Sequence, residues 1–204
     1  MILTVSNLTV ARGGVAILAG INFVMVSGTA LMVLGPNGSG KTSLLRTIAG
    51  LQPQMSGQIT GAEDRIAYAA HSDGLKAAMS VAENLEFWSS VFGGPSIQPA
   101  LNAFNLNSLA SRRAGHLSAG QKRRLGLARL MVTERPLWVL DEPTVSLDAV
   151  SVSIFISALE SHLANGGMAL ISTHIDLGLD AEVLDMTPFK DLAANVETSD
   201  QAFL

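Results

Sequence analysis

Eight consecutive residues constrain this chain more than any others: Gly35, Pro36, Asn37, Gly38, Ser39, Gly40, Lys41 and Thr42. They fit Gly-x-x-x-x-Gly-Lys-[Ser/Thr] at every fixed position. Ordinary residue usage would produce such a match in roughly one chain in a hundred of this length. The flanks agree with a phosphate-binding reading. Ala30–Leu34 is an uncharged apolar run of strand length, Ser43–Ala49 has helical spacing, and Gly50 is a plausible helix stop. In a strand–loop–helix arrangement, glycines let backbone N–H groups close around phosphates while the helix N-terminus adds positive potential. Lys41 then reaches the β- and γ-phosphates, and the Thr42 hydroxyl is placed to ligate Mg²⁺.

The region before this loop could mislead. No charged residue occurs from Gly13 to Gly40, so a hydropathy window flags Val15–Leu34 as a membrane span. Gly20, Asn22, Ser27, Gly28 and Thr29 interrupt it, and it runs straight into the phosphate loop. Two buried strands joined by a Ser-Gly turn account for it better. Leu3, Val5, Leu8 and Val10 add an edge strand or hairpin closed by Arg12-Gly13-Gly14, giving a small antiparallel sheet beside the nucleotide. Phe23 reads as core. The N-terminus has no basic segment ahead of an apolar one, as a signal peptide would.

Composition supports a large core, an apolar interface, or both. Of the 204 residues, 48% are hydrophobic and 15% charged, and mean hydropathy is +0.36. The net charge of −4 provides no global basic footprint for nucleic acid. The absence of cysteine excludes disulfides, thiolate metal sites and cysteine nucleophiles.

Downstream, Gln58–Thr60 and Arg65–Ala70 read as strands, the second ending at His71. Ser80 and Glu83 form a capping-box pattern that opens a helix, with Val81, Leu85, Trp88 and Phe92 on one face. That aromatic stripe reads as helix packing. Residues 80–116 look mainly helical. Leu117-Ser118-Ala119-Gly120-Gln121 enters a basic helix over Lys122–Val132, so Ser118 and the Gly120 backbone sit at a helix N-terminus, a ready anion site. Leu137–Leu140 is a short apolar strand ending in Asp141-Glu142-Pro143. A phosphate-loop enzyme needs an acid there to orient Mg²⁺, and Glu142 is placed to polarise an attacking water. Ser146-Leu147-Asp148 precedes a helix over Ala149–Leu163, and strand Met168–Ile171 ends in Ser172-Thr173-His174. His116 and His162 read as solvent-side. The tail beyond Met186, with Asp191, Glu197 and Asp200, carries no assignment.

This order of motifs resembles the ATP-binding subunit of ABC transporters, and the resemblance runs from about Leu3 to Asp185. Gly35–Thr42 looks like the Walker A loop and Leu137–Asp141 the Walker B strand. Glu142 matches the catalytic glutamate and His174 the switch histidine. Ser146–Asp148 resembles the D-loop. Leu117–Gln121 looks like the signature loop, with Ala119 where glycine is commoner. The resemblance implies one α/β ATP-binding domain. It has a mixed RecA-like sheet core (about 1–79 and 117–185), an antiparallel β subdomain, a helical insertion (about 80–116) and a tail (186–204). It also implies ATP and Mg²⁺ bound at Thr42 and Asp141, and a homodimer formed on ATP binding. Ser118, Ala119, Gly120, Gln121 and Asp148 of one copy would complete the other copy's site.

Two positions depart from the family pattern. His71 stands where a Q-loop glutamine is usual, and an imidazole can still bond the hydrolytic water or contact Mg²⁺. Arg12 stands where an aromatic residue usually stacks on adenine, and a guanidinium plane can also stack. Both substitutions, with Tyr68–His71, Gly74–Lys76 and Glu83–Leu85, are similar to the ATP-binding subunit of the haem exporter of cytochrome c maturation. That branch implies small polytopic membrane partners and a peripheral place on the cytoplasmic face of the bacterial inner membrane. No haem-ligand pattern is visible. Competing classes are another ABC importer or exporter, a soluble ABC ATPase of DNA repair or translation, and a non-hydrolysing nucleotide switch. The second usually carries two cassettes or a long coiled coil, neither present here. Glu142 and His174 together argue against the third.

Overall fold

The computed structural model describes residues 1–190, 192 and 193; Asp191, Glu197 and Asp200 lie outside them. In chain order the strands and α-helices are β1 (Ile2–Arg12), β2 (Val15–Val26), β3 (Ala30–Leu34), α1 (Lys41–Ile48), β4 (Ser56–Thr60), β5 (Ile66–Ala69), α2 (Val81–Phe92), α3 (Gln98–Ala103), α4 (Ala119–Met131), β6 (Leu137–Asp141), α5 (Ala149–Ala164), β7 (Met168–Ser172) and β8 (Glu182–Asp185). Strand β8 was not foreseen from the sequence: its four residues Glu-Val-Leu-Asp are mostly exposed and lack the apolar run that marks β3, β6 and β7.

The mixed pairing expected of the core is divided between two sheets. The core sheet, in order β5-β6-β7-β3-β8, is parallel at each described pairing. Antiparallel pairing lies in the second sheet, β2-β1-β4. The uncharged stretch before the phosphate loop is strands β2 and β3, and no described helix is long and apolar enough to cross a membrane.

Parallel strands covered on both faces read as continuous apolar runs rather than alternations. Every residue of β6 (Leu-Trp-Val-Leu-Asp) and β7 (Met-Ala-Leu-Ile-Ser) is buried. Period-two alternation then sends successive side chains to opposite faces. Trp138, Leu140, Ala169 and Ile171 join one core with α4, α5 and the helical stretch. Leu137, Val139, Met168 and Leu170 join a second core with α1, β1 and β2, against which Phe23 packs. The sheet is thereby fixed between two layers, and its C-terminal edge carries Asp141 and Ser172.

Residues 80–116 contain α2, α3 and two 3-10 turns, Asn107–Leu109 and Ala114–His116. The capping box at Ser80 forms: its hydroxyl accepts from the Glu83 N–H at 3.1 Å, and the Glu83 carboxylate accepts from the Ser80 N–H at 2.7 Å. Val81 and Leu85 are buried. Trp88 stacks on Phe92 with ring centroids 5.9 Å apart, and the Arg129 guanidinium lies 4.7 Å from the Trp88 centroid. The stripe is packing, as its helical spacing suggests.

His162 corrects the solvent-side reading. It lies flat on Trp138, with centroids 3.9 Å apart and planes 10° apart. Its Nε2 is 3.2 Å from both the Pro136 and Met168 carbonyls, so that nitrogen carries the hydrogen and donates. The residue lies in the last turn of α5, just before the chain turns back into β7. A Cβ at Gly167 would collide with the ring, which explains the second glycine of the Gly166-Gly167 turn. Burial pushes the imidazole below its ordinary pKa, against partial opposition from the two carbonyls. Because the folded-state pKa is depressed, the unfolded chain takes the proton first. This contribution is therefore present above the unfolded value and lost as pH falls through about 6.5. Urea midpoints measured at about pH 7.5 and 5.5 are expected to fall more for the wild type than for His162→Asn, which keeps a donor but does not titrate.

Candidate nucleotide site

The phosphate loop links β3 to α1, and its geometry demands glycine. Gly38 and Gly40 have φ of 77° and 95°, in the left-handed region. A Cβ at Gly40 would come within 2.9 Å of Leu18, and one at Gly35 within 2.7 Å of Ser39 Oγ. Lys41 begins α1 and is only 7% exposed. Its ammonium curls over the loop, donating to the Gly35 carbonyl at 2.8 Å and the Pro36 carbonyl at 3.3 Å. Ser39 Oγ is buried with no hydrogen-bond partner among the described residues. An unpaired hydroxyl, a desolvated ammonium and a helix N-terminus in one hollow form an anion site.

The acids reach this site from β6. Asp141 Oδ1 accepts from the Ser172 hydroxyl at 2.8 Å, across the pair that ends β6 and β7. The Tyr68 hydroxyl approaches Asp141 Oδ2 at 3.5 Å. Burial, then the Asp141 charge, pushes the Tyr68 pKa up to about 12, so the phenol stays protonated. Glu142 turns out of the strand with φ of 48°. Its N–H donates to the Ser172 carbonyl at 3.0 Å, and the Ser172 hydroxyl oxygen lies 3.2 Å from the same nitrogen. One serine thus orients both acids, a role that a strand-ending Ser-Thr-His does not advertise. His174 Nε2 stands between the catalytic candidates, 3.1 Å from Glu142 Oε1 and 3.4 Å from Lys41 Nζ. The Glu142 contact is close but poorly aligned for a hydrogen bond, which leaves Oε1 without a full partner.

One cavity of about 470 Å³ gathers Asn37, Gly38, Ser39, Gly40, Lys41 and Thr42 of the loop with Asp141 and Glu142. Arg12, Ala16 and Ile17 form its other end. Lys190 and Ala193 also line it: residues 187–190 are helical and bring Lys190 to the cavity. A short polar stretch without periodicity offered no signal of this. No aromatic ring lines the cavity among the described residues. Thr42 and Asp141 present hard oxygen donors to the same space, the chemistry Mg²⁺ takes when phosphates supply further ligands.

Other expected residues lie elsewhere. Ser118 caps α4, accepting from the Gln121 N–H at 3.2 Å while Gln121 Oε1 accepts from the Ser118 N–H at 3.0 Å. Neither they nor Ala119 and Gly120 line the chain's own cavity. Asp148 caps α5, and hydrogen bonds from Ser151 hold its carboxyl below the usual range. His71 does not join the phosphate loop. It is exposed and lines a separate hollow of about 180 Å³ with Ala119 and Ser146. The strand β5 ends before it, so the turn carries it toward α4 rather than along the sheet edge.

Fold and site together define a phosphate-loop nucleoside triphosphatase. A family profile described as ABC transporter matches residues 18–145. The cytochrome c biogenesis ATP-binding export protein CcmA of Roseobacter denitrificans is 64% identical, over 100% of both chains. The protein of the same name from Ruegeria pomeroyi is 61% identical over 100% of both. A putative ABC transporter ATP-binding protein from Pyrococcus furiosus superposes with a TM-score of 0.84 at 24% identity, covering 93% of this chain and 99% of that one, a likeness of fold alone. The chain belongs to the ABC transporter family, as a CcmA-like ATP-binding subunit.

Lys190 generates a prediction of its own. Lys190→Ala is expected to raise KM for ATP about 3–10-fold, the size of one lost polar or charged contact, with kcat changed less than about twofold. Steady-state phosphate release against ATP concentration measures both.

Proposed function

We propose that this chain is the ATP-hydrolysing subunit that powers an export or haem-handling step in c-type cytochrome biogenesis. The observation that carries the hydrolytic reading is that His174 Nε2, from a neighbouring hollow it lines with Gly35 and Thr173, lies 3.1 Å from Glu142 Oε1 and 3.4 Å from Lys41 Nζ, both of which line the nucleotide cavity. With ATP in the loop, Lys41 leaves its own carbonyls for the β- and γ-phosphates. The ammonium is already desolvated, so that exchange trades two carbonyl contacts for full negative charges. Glu142 accepts a proton from the attacking water. The new bond forms to the γ-phosphorus, the bond to the bridging oxygen breaks, and ADP departs with that electron pair. His174, freed from Glu142, donates to the γ-phosphate. Mg²⁺, held by Thr42 and Asp141, would neutralise developing charge on the phosphates.

The base sits between the Arg12 and Lys190 side chains and the aliphatic Ala16, Ile17 and Ala193. Ser118, Gly120 and Gln121 serve a second copy: they form a helix N-terminus and lie outside their own cavity. Two copies packed head to tail complete two sites, with Ala119 and Asp148 at the same seam. Polytopic membrane subunits dock on this dimer at the cytoplasmic face of the bacterial inner membrane. The names and full-length identity of the relatives support a c-type cytochrome role over a soluble repair or translation ATPase. Haem is handled by the membrane partners, not by this chain.

Glu142→Gln is expected to keep ATP affinity within about threefold and to lower turnover by at least about 100-fold, read by nucleotide binding and phosphate release. Near-normal turnover removes Glu142 from the role. Deleting the gene should abolish haem attachment to c-type cytochromes while total haem persists. Normal c-type cytochromes would leave only the generic transporter reading.

A further inference from the structure

Arg123 lies on α4, outside the nucleotide cavity, yet it is 4% exposed and nearly saturated with partners. Nε donates to the Pro143 carbonyl at 2.9 Å. Nη2 donates to the Glu142 carbonyl at 2.7 Å and, at 3.3 Å, to that of Asp141. Nη1 donates to the Ala70 carbonyl at 2.8 Å and to Asp73 Oδ1 at 2.9 Å. One planar fork therefore holds the peptides around Glu142 on one side and the turn flanking His71 on the other. Lysine, a point charge, could not span both.

The turn is seated on α4 by design of that helix face. Arg123, Gly126 and Arg129 recur every three residues and fall along one side. Gly126 is a glycine inside a helix, a position that weakens helices. Its reason is local: a Cβ there would come within 2.9 Å of Asp73 Oδ1 and 3.0 Å of Asp73 Cβ. Arg129 completes the seat, donating to the carbonyls of Asp73 and Tyr68, each at 3.3 Å.

Glu142 occupies a backbone region sparsely populated by residues with a side chain, and such a conformation persists only where the surroundings over-determine it. Ser172 pins its N–H and Arg123 pins its carbonyl. We infer that Arg123 is a positioning residue for hydrolysis: it sets the backbone of Glu142, and through Asp73 makes that setting depend on where the 70–73 turn lies. This rests on the hydrolytic role of Glu142 proposed above. Displacing the turn pulls the guanidinium through its one anionic partner, and the glutamate peptide follows. The turn thereby gains control over catalysis without touching nucleotide.

The test uses the full chain, with kcat, KM, affinity for a fluorescent ATP analogue, and thermal melting measured for each variant. Asp73→Asn and Gly126→Ala keep the fork itself, and Gly126→Ala adds helix propensity. Each is expected to lower kcat about 3–10-fold while KM and affinity stay within about twofold, with both variants still melting above the assay temperature. Arg123→Lys should lower kcat more than about tenfold, and adding Asp73→Asn to it should cause no further loss, because the two act as one unit. Wild-type kcat in both Asp73→Asn and Gly126→Ala overturns the inference. So do losses that multiply in the double variant, or a loss of kcat matched by weakened nucleotide affinity. If Glu142→Gln still turns over, the hydrolytic reading itself fails; if Glu142→Gln is inactive and these variants are normal, only the role of Arg123 does.

Discussion

The pairing of Asp141 with Ser172 at the ends of β6 and β7 is the constraint on which the rest depends. Parallel strands place all their C-terminal ends along one edge. Both faces of this sheet are sealed by separate cores, so the edge cannot slide without moving buried side chains on two sides. Ser172 then converts strand register into acid geometry. Its hydroxyl hydrogen goes to Asp141, and its carbonyl takes the N–H of Glu142. The phosphate loop emerges from β3, the next strand in the sheet, at the same edge. Cradle and acids meet because the strands are in register, not because their sequences are near one another.

What could be read from the sequence divides along physical lines. Elements whose cause is local were legible. The loop announces itself through glycines that need positive φ, and the helices at Ser80 and Ser118 through capping boxes. The strands β3, β6 and β7 are visible as apolar runs because both faces are covered. The candidate site residues Lys41, Thr42, Asp141 and Glu142 are legible for the same reason, since each lies at or beside the end of such an element. Roles that depend on tertiary neighbours were not. Ser172 looks like any strand end, Arg123 like one more cation in a basic helix, and Lys190 like part of a featureless tail. His162 was misplaced because a lone histidine on a helix carries no sign of the Trp138 ring beneath it. His71 keeps the position in sequence that the resemblance implies, but the turn directs it to a hollow beside α4, outside the cavity of the phosphate loop.

The base end of the cavity is unusual in having cations and aliphatic groups where an aromatic platform would sit. Such walls would hold a base by stem contacts and by the positive ends of two side chains, which do little to distinguish one purine from another. Selectivity for a triphosphate would then fall to the phosphate loop, and the choice among purines to nucleotide abundance. The helical tail residues also pack on the β2 surface beside the cavity, where Ala193 meets Ala16 and Ala19.

The capping box at the start of α4 has one more consequence. Ser118 spends a lone pair of its hydroxyl on the Gln121 N–H, and Gln121 spends its carbonyl oxygen on the Ser118 N–H. What faces outward from the two side chains is therefore a hydroxyl hydrogen and an amide NH₂ group. One lone pair of each acceptor is thereby turned inward, while the donor hydrogens stay outward. With the helix N-terminus beneath them, these groups favour an oxyanion over an ammonium. The same two bonds that start the helix bias the sign of the charge it can greet.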